Sequence, residues 1–310
     1  MDDIGEIREI WRGEVGRALK SGRVVALLVL FMLFTGLALA GIGAVNYMVS
    51  KQEEQTLSNS QIDKAQLAKA DEATRKRFVG LVFSNDEELT DALSAMPLLL
   101  LVVFKLATVF LPLFVALMGF DQISGEIGPR SIRFLVLRVK RSSIVMGKFV
   151  SQATLLAGLM AISTVVMVLV AKLLNSDFGW GSAFVALGKL LVAGLVSVIA
   201  YEALTTLCSA LTRQSGVSLL LNVGLMFVIW FVSLISTFYR IPGADVEFGS
   251  LESLKSESYA AYLKYASVWT YNQDLLHPSA TRFLSATMVH LGYGLVFLGL
   301  AHLVLRRRDI

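Results

Sequence analysis

The stretch PLLLLVVFKLATVFLPLFVALM, residues Pro97–Met118, decides the fold. Lys105 is its only charged side chain. At the helical rise, a run of this length reaches about 30 Å, the thickness of a bilayer's hydrocarbon core. In lipid only a helix, or a closed barrel, satisfies every backbone N–H and C=O internally, so a continuously apolar run of this length is a spanning helix. Five further runs share its character: Val24–Val45, Phe149–Ala171, Ala183–Cys208, Val217–Tyr239 and Phe283–Leu305. The expected fold is therefore all-α, a polytopic membrane protein with about six transmembrane helices. Composition agrees, with 55% hydrophobic and 17% charged residues against roughly 25% charged in soluble domains.

Several function classes are excluded at this level. A single cysteine, Cys208, permits neither a disulfide framework within the chain nor a cysteine-based metal cluster. The net charge of +4 does not point to nucleic acid, because the basic residues flank apolar runs and form no stripe with interleaved aromatics. They read as topology determinants. Arg8, Arg12, Arg17, Lys20 and Arg23 precede the first span, Arg130, Arg133, Arg138, Lys140, Arg141 and Lys148 follow the second, and Arg213 and Arg306–Arg308 complete one side. Positively charged loops are retained in the cytoplasm, which places both termini there. The opposite loop, 46–96, has nine acids against six bases and is long enough to weigh little.

Residues 1–23 carry Ile4, Ile7, Trp11, Val15 and Ala18 at steps of three and four, with charged residues on the other faces. This predicts an amphipathic helix on the inner membrane surface, the plain alternative being a solvated tail helix. Ala38-Leu39-Ala40 resembles a signal-peptidase site, but the preceding region is long and acidic and the apolar run continues past it. Residues 24–310 are then one six-span domain, with external loops 46–96 and 240–282 and a cytoplasmic loop 119–148. Tyr259, Tyr262, Tyr265, Trp269 and Tyr271 give the second external loop the composition of the aromatic headgroup belt.

Two charges lie inside spans. Lys105 either lines a polar pathway or snorkels along its own stem to the outer boundary. Glu202 reads as half of a structural ion pair with Lys148 or Arg213; no second intramembrane carboxylate accompanies it for proton relay. His277, His290 and His302 have neither the spacing nor the acidic neighbours of a metal site or a catalytic triad.

The loop after the second span holds the informative motif. Gly125 and Gly128-Pro129 interrupt the helix, and Pro129 suits the first turn of a new short one whose Ile132, Leu135 and Val136 share a face. A short two-faced helix below the membrane fits a force-transmitting contact, or else a basic connector resting on anionic lipid. The run Ile123-Ser124-Gly125-Glu126, the basic helix, and Arg141-Ser142-Ser143-Ile144-Val145-Met146-Gly147-Lys148-Phe149 resemble the inner loop of type-2 ABC (ATP-binding cassette) transporter permeases. The closing Arg306-Arg307-Arg308-Asp309-Ile310 is similar to that family's usual ending, while Gly128-Pro129-Arg130-Ser131 stands where the family more often has a Gly-Thr step.

The resemblance implies a bacterial inner-membrane permease subunit whose coupling helix, Glu126 through Leu137, seats in a groove of a separate ATPase dimer. Glu126, Arg130, Ile132, Arg133, Leu135 and Val136 are the expected ATPase contacts. A second copy of the chain would complete the pathway as a homodimer. No G-x-x-x-x-G-K-[ST] occurs in the sequence, so this chain is expected to bind no cofactor, with ATP and Mg on the partner. The alternative is a non-transporting scaffold or signalling subunit whose outer loops hold an extracytoplasmic partner.

Overall fold

A computed structural model describes residues 3–22, 24–37, 40–41, 51, 73, 75–80, 82–83, 86–174, 178–238 and 263–308. Arg23, the Ala38-Leu39 part of the cleavage-like site, most of loop 46–96, Tyr259, Tyr262 and Asp309-Ile310 lie outside these. The described chain is helical, and five helices are long and apolar enough to cross a membrane. We number them in order: α1 Asp3–Lys20, α2 Val24–Leu37, α3 Glu87–Ser94, α4 Leu98–Gly119, α5 Ser124–Ile127, α6 Ile132–Val136, α7 Arg141–Leu174, α8 Trp180–Leu211, α9 Ser215–Phe238, α10 Val268–Tyr271 and α11 Ala280–Arg307. The spans are α4, α7, α8, α9 and α11. A sixth is reached if α1 and α2, which meet at a bend of 63°, are taken together. As described, α2 is shorter than a bilayer needs, and 38–39 and 42–45 of the expected first span lie outside the described residues.

α8 is the hub, packing against α4, α7, α9 and α11. Small residues make this close approach feasible. A Cβ on Gly194 would stand 2.4 Å from Met160 Cε of α7, and one on Gly119 of α4 would stand 2.8 Å from Thr205 Cγ2 of α8. α8 divides into two unlike halves, named inner, beside the 119–148 loop, and outer after the topology expected from the lysines and arginines. Its outer half still shows Phe184, Val185 and Val192 to the surroundings, whereas every residue from Ala200 to Ala210 is buried. α2 joins the bundle through Leu27 and Phe31, the Phe31 ring meeting Phe114 edge-on at 5.1 Å.

α7 and α8 run well beyond bilayer length, about 50 Å each at the helical rise. The start of α7 and the end of α8 flank the loop between α4 and α7. α1 packs along the start of α7. Gly147 lets Ile10 approach so closely that a Cβ there would stand 2.8 Å from its side chain, and Trp11 Nε1 donates to Thr154 Oγ1 at 3.1 Å. A helix thus occupies Asp3–Lys20 of the expected 1–23, with Ile10 turned onto the protein and Ile4 exposed.

The second external loop departs from the expected headgroup belt. Its described part, 263–279, folds back into the bundle. Ser267 Oγ donates to Ile229 O at 2.9 Å, Ser233 and Thr270 pair at 3.2 Å, and Tyr293 OH donates to Ala266 O at 2.6 Å. Asn272 reaches Tyr201 OH (3.2 Å) and His290 Nε2 (2.9 Å). His290 lies about 15 Å along α11 from its outer end at the helical rise. Trp269 and Tyr271 pack against apolar clusters of the core. Aromatic side chains whose polar tips find partners suit a re-entrant segment as well as a leaflet surface.

Candidate functional site

The inner junction is built on the buried half of α8. As α4 ends, Gln122 Nε2 donates to Thr206 Oγ1 (2.8 Å) and Glu202 Oε1 (3.2 Å). Ser209 Oγ accepts the N–H groups of Ile123 (2.9 Å) and Ser124 (3.0 Å), satisfying donors that a helix start leaves open at α5. Gly128 passes so near the chain after α8 that a Cβ would stand 3.0 Å from Arg213 O. The loop is thus riveted to one helix by a hydroxyl, an amide and a bare backbone.

Its shape differs from the single helix 126–137 that the resemblance implies. The chain forms two short pieces, α5 and α6, broken at 128–131, where Arg130 has φ +62°. The left-handed region is unfavourable for a residue with a Cβ. Pro129 sits in this break and does not open the second helix, which starts at Ile132.

α6 has two faces. Ile132 is fully buried, and Leu135 and Val136, partly buried, pack with it in the cluster of Ile123, Ile144, Leu207 and Leu305. Of the expected contact residues, Ile132 is thus turned onto the chain's own bundle, Leu135 and Val136 are half-covered, and Arg130 and Arg133 are exposed. Phe134 (75% exposed) and Leu137 (84% exposed) point away from the bundle, flanked by exposed Arg130, Arg133 and Arg138. Two large apolar side chains presented together among cations suit a contact with a partner protein or with an anionic lipid surface.

Glu126 turns inward. Lys148, almost completely buried on α7, places its Nζ 2.9 Å from Glu126 Oε1 and 2.7 Å from Glu14 Oε1 of α1. Arg17 Nη1 lies 3.4 Å from both carboxylates. Four charges therefore join α1, α5 and α7, and a buried ammonium finds the two counter-charges it requires.

This pairing also corrects the expectation for Glu202, because Lys148 is committed to Glu14 and Glu126. Glu202 is fully buried, with its Oε1 met by the Gln122 amide and its Oε2 without a hydrogen-bond partner among the described residues. It forms no structural ion pair there. Lys105 Nζ stands 5.2 Å from the centre of the Phe83 ring, on the outer side of the bundle. A cation over an aromatic face gains some of the attraction it loses on leaving water, and Lys105 is itself half-buried.

The closing arginines do more than set topology. Arg308 donates to Leu211 O (2.5 Å) and Thr212 O (3.1 Å) at the end of α8. Arg141 donates to Leu305 O (2.9 Å), Arg306 O (2.5 Å) and Arg308 O (3.2 Å) at the end of α11. Cations here meet carbonyls that a helix C-terminus leaves unsatisfied. Arginines just past a span were the available signal, although their target carbonyls lie far away in sequence.

Compared with known proteins, residues 8–310 match the family model described as ABC-2 family transporter protein. No curated protein matches the chain.

Proposed function

The chain belongs to the ABC-2 family of transporter proteins, and on that premise we propose that its inner loop is the contact through which a separate ATPase drives an exporter. It is a multi-pass permease component of an ABC transporter. The observation that carries the coupling role is the opposition of the two faces of the 120–140 loop. One presents Phe134 and Leu137 outward among arginines, while the other is fastened to α8 by Ser209 and Gln122 and to α1 and α7 by the Lys148 cluster.

In this reading an ATPase dimer binds ATP and Mg and closes beneath two copies of the chain, its grooves holding the outward face. Because the loop has no slack against α8, displacement passes directly to the helix that touches most of the others. A shift between inward and outward exposure follows only if the ATPase contacts the two states differently. Both termini and the loop lie in the cytoplasm of a cell whose plasma membrane holds the subunit, and the substrate leaves on the opposite side.

The test is Phe134→Asp in the full chain, with the partner recovered by co-purification. The expected result is normal insertion and stability with loss of the co-purifying ATPase, or of its stimulation by this subunit. Retention of a fully stimulated ATPase contradicts the coupling surface. A stable outer-side complex with no ATPase in the wild type would favour the scaffold reading instead.

A further inference from the structure

Among the described residues, Arg130 is the only one with a Cβ that holds a left-handed backbone, at φ +62°. It is the joint of the inner loop. Its N–H donates to Ile127 O of α5 at 3.1 Å, and its C=O accepts from the N–H of Arg133 in α6 at 3.3 Å. A left-handed residue other than glycine is unfavourable, and such outliers concentrate where function holds them in place. The glycine that would relieve this one stands two residues away. Gly128 has an ordinary helical backbone, φ −54° and ψ −58°, and is needed for closeness instead, since a Cβ there would stand 3.0 Å from Arg213 O.

The Arg130 side chain does nothing for the fold that accounts for the strain. It is exposed, and its guanidinium has no hydrogen bond or ion pair among the described residues. Arg17, Arg141, Lys148 and Arg308, by contrast, are each engaged by groups of this chain. The surface around Arg130 also lacks counter-charge. Arg133 and Arg138 are exposed beside Phe134 and Leu137, and no Asp or Glu occurs from 127 to 176. Glu126, the last acid before that stretch, is held inward by Lys148. A cation kept at a strained, exposed joint on a face without carboxylates is complementary to an anionic partner. The planar fork of arginine fits a carboxylate through two parallel N–H bonds, which a lysine cannot form.

We propose that Arg130 is the polar anchor of the coupling face, its guanidinium forming a bidentate pair with a carboxylate of the ATPase while Phe134 and Leu137 enter an apolar groove beside that carboxylate. The inference rests on the reading of this face as the ATPase contact, and it adds the chemistry that the partner presents there. An arginine next to large apolar anchors is the make-up of an interface hot spot, where a few residues carry most of the binding.

The experiment takes the full-length chain with its co-purifying ATPase and measures their affinity by titration at several salt concentrations, together with unfolding midpoints of the subunit. Arg130→Asn installs a residue that tolerates the left-handed region, so the midpoint should be unchanged or higher. The ATPase should nevertheless bind about tenfold more weakly, the lower end of what a hydrogen bond to a charged group contributes, and with a shallower salt dependence. Arg130→Lys keeps the charge without the fork and should restore only part of the affinity. Ile132→Cys, placed in the Arg130→Asn and Cys208→Ser background, should stay slow to label, as it does when α6 remains seated. Wild-type affinity in Arg130→Asn alongside loss of the ATPase in Phe134→Asp would overturn the anchor and leave the coupling surface standing. ATPase binding retained in both variants would overturn both. A lowered midpoint with fast Ile132→Cys labelling would make Arg130 a structural joint only, and lost retention of anionic lipid at unchanged ATPase affinity would assign the fork to the membrane, each contrary to the proposal.

Discussion

The inner and outer ends of this bundle are held in opposite ways. At the inner end, α8 is buried all round and knits its neighbours by polar contacts: Ser209 to two backbone N–H groups, Gln122 to Thr206 and Glu202, and Lys148 to two carboxylates. At the outer end α3, 75–80 and the re-entrant segment pack through Val79, Phe83, Leu89, Leu93, Leu275 and Leu276. Its ion pairs are exposed, a latch in which Arg282 bonds Asp86 beside His277 and a pair of Lys76 with Asp91, and neutral hydrogen bonds tie the re-entrant segment to α8, α9 and α11. Hydrogen bonds and buried ion pairs have fixed geometry and transmit displacement, whereas apolar packing tolerates repacking. The difference suits an inner end that moves as one piece and an outer end that rearranges over it.

The comparison breaks most directly at Lys148. Lys148→Ala strands Glu14 and Glu126 around an empty space, and the expected loss is about 3 kcal/mol of stability. The loss is read from unfolding midpoints in detergent. Next comes Ser209→Ala, which leaves two buried N–H groups unmet, for an expected loss of about 1–3 kcal/mol. Here stimulated ATP hydrolysis should fall further than stability does, because the loop then slides on α8; an equal fall in both would make Ser209 a structural rivet only.

The outer latch sharpens the contrast from the weak side. Arg282→Ala should cost less stability than either inner-end variant, as exposed pairs do. The hydrogen bond from Arg282, with burial opposing it, holds the Asp86 carboxyl below the usual carboxylate range. A depressed carboxyl contributes stability that is present above its unfolded value and disappears as pH falls through its folded one. The latch is therefore intact at neutral pH and weakens only in acid below the ordinary carboxylate range. Midpoints of wild type and Arg282→Ala should converge there and differ slightly at pH 7. Sidedness gives a check that barely perturbs either end. Cysteine at Glu88 should react with an impermeant thiol reagent in intact cells, while cysteine at Ser131 should react only after permeabilisation.

Much of this architecture was legible because lipid leaves few options. Length and hydropathy placed α4, α8, α9 and α11 within about three residues at each end but started α7 at Phe149 where the helix begins at Arg141, and Gly128-Pro129 marked the break in the inner loop. What failed were choices between equivalent faces. Ile132, Leu135 and Val136 share a helical face, but periodicity does not say whether that face meets a partner or the chain's own bundle. The presence of Phe134 and Leu137 on the other side was the overlooked clue. Lys148, with Arg213 as the alternative, is the partner expected for Glu202, and the packing of α1 against Gly147 instead brings it Glu14 beside Glu126. Tyr201, Asn272 and His290 come from three elements far apart in sequence, and nothing local announces their contact.

The central claim, an outward Phe134–Leu137 face that meets the ATPase, has a direct measurement. In a Cys208→Ser background, Leu137→Cys and Ile132→Cys are labelled with a thiol reagent in inside-out vesicles, with and without the assembled ATPase. Leu137→Cys should label rapidly in the free subunit and be protected in the complex, while the buried Ile132→Cys stays slow in both. Unchanged labelling of Leu137→Cys in a complex that hydrolyses ATP would contradict the account.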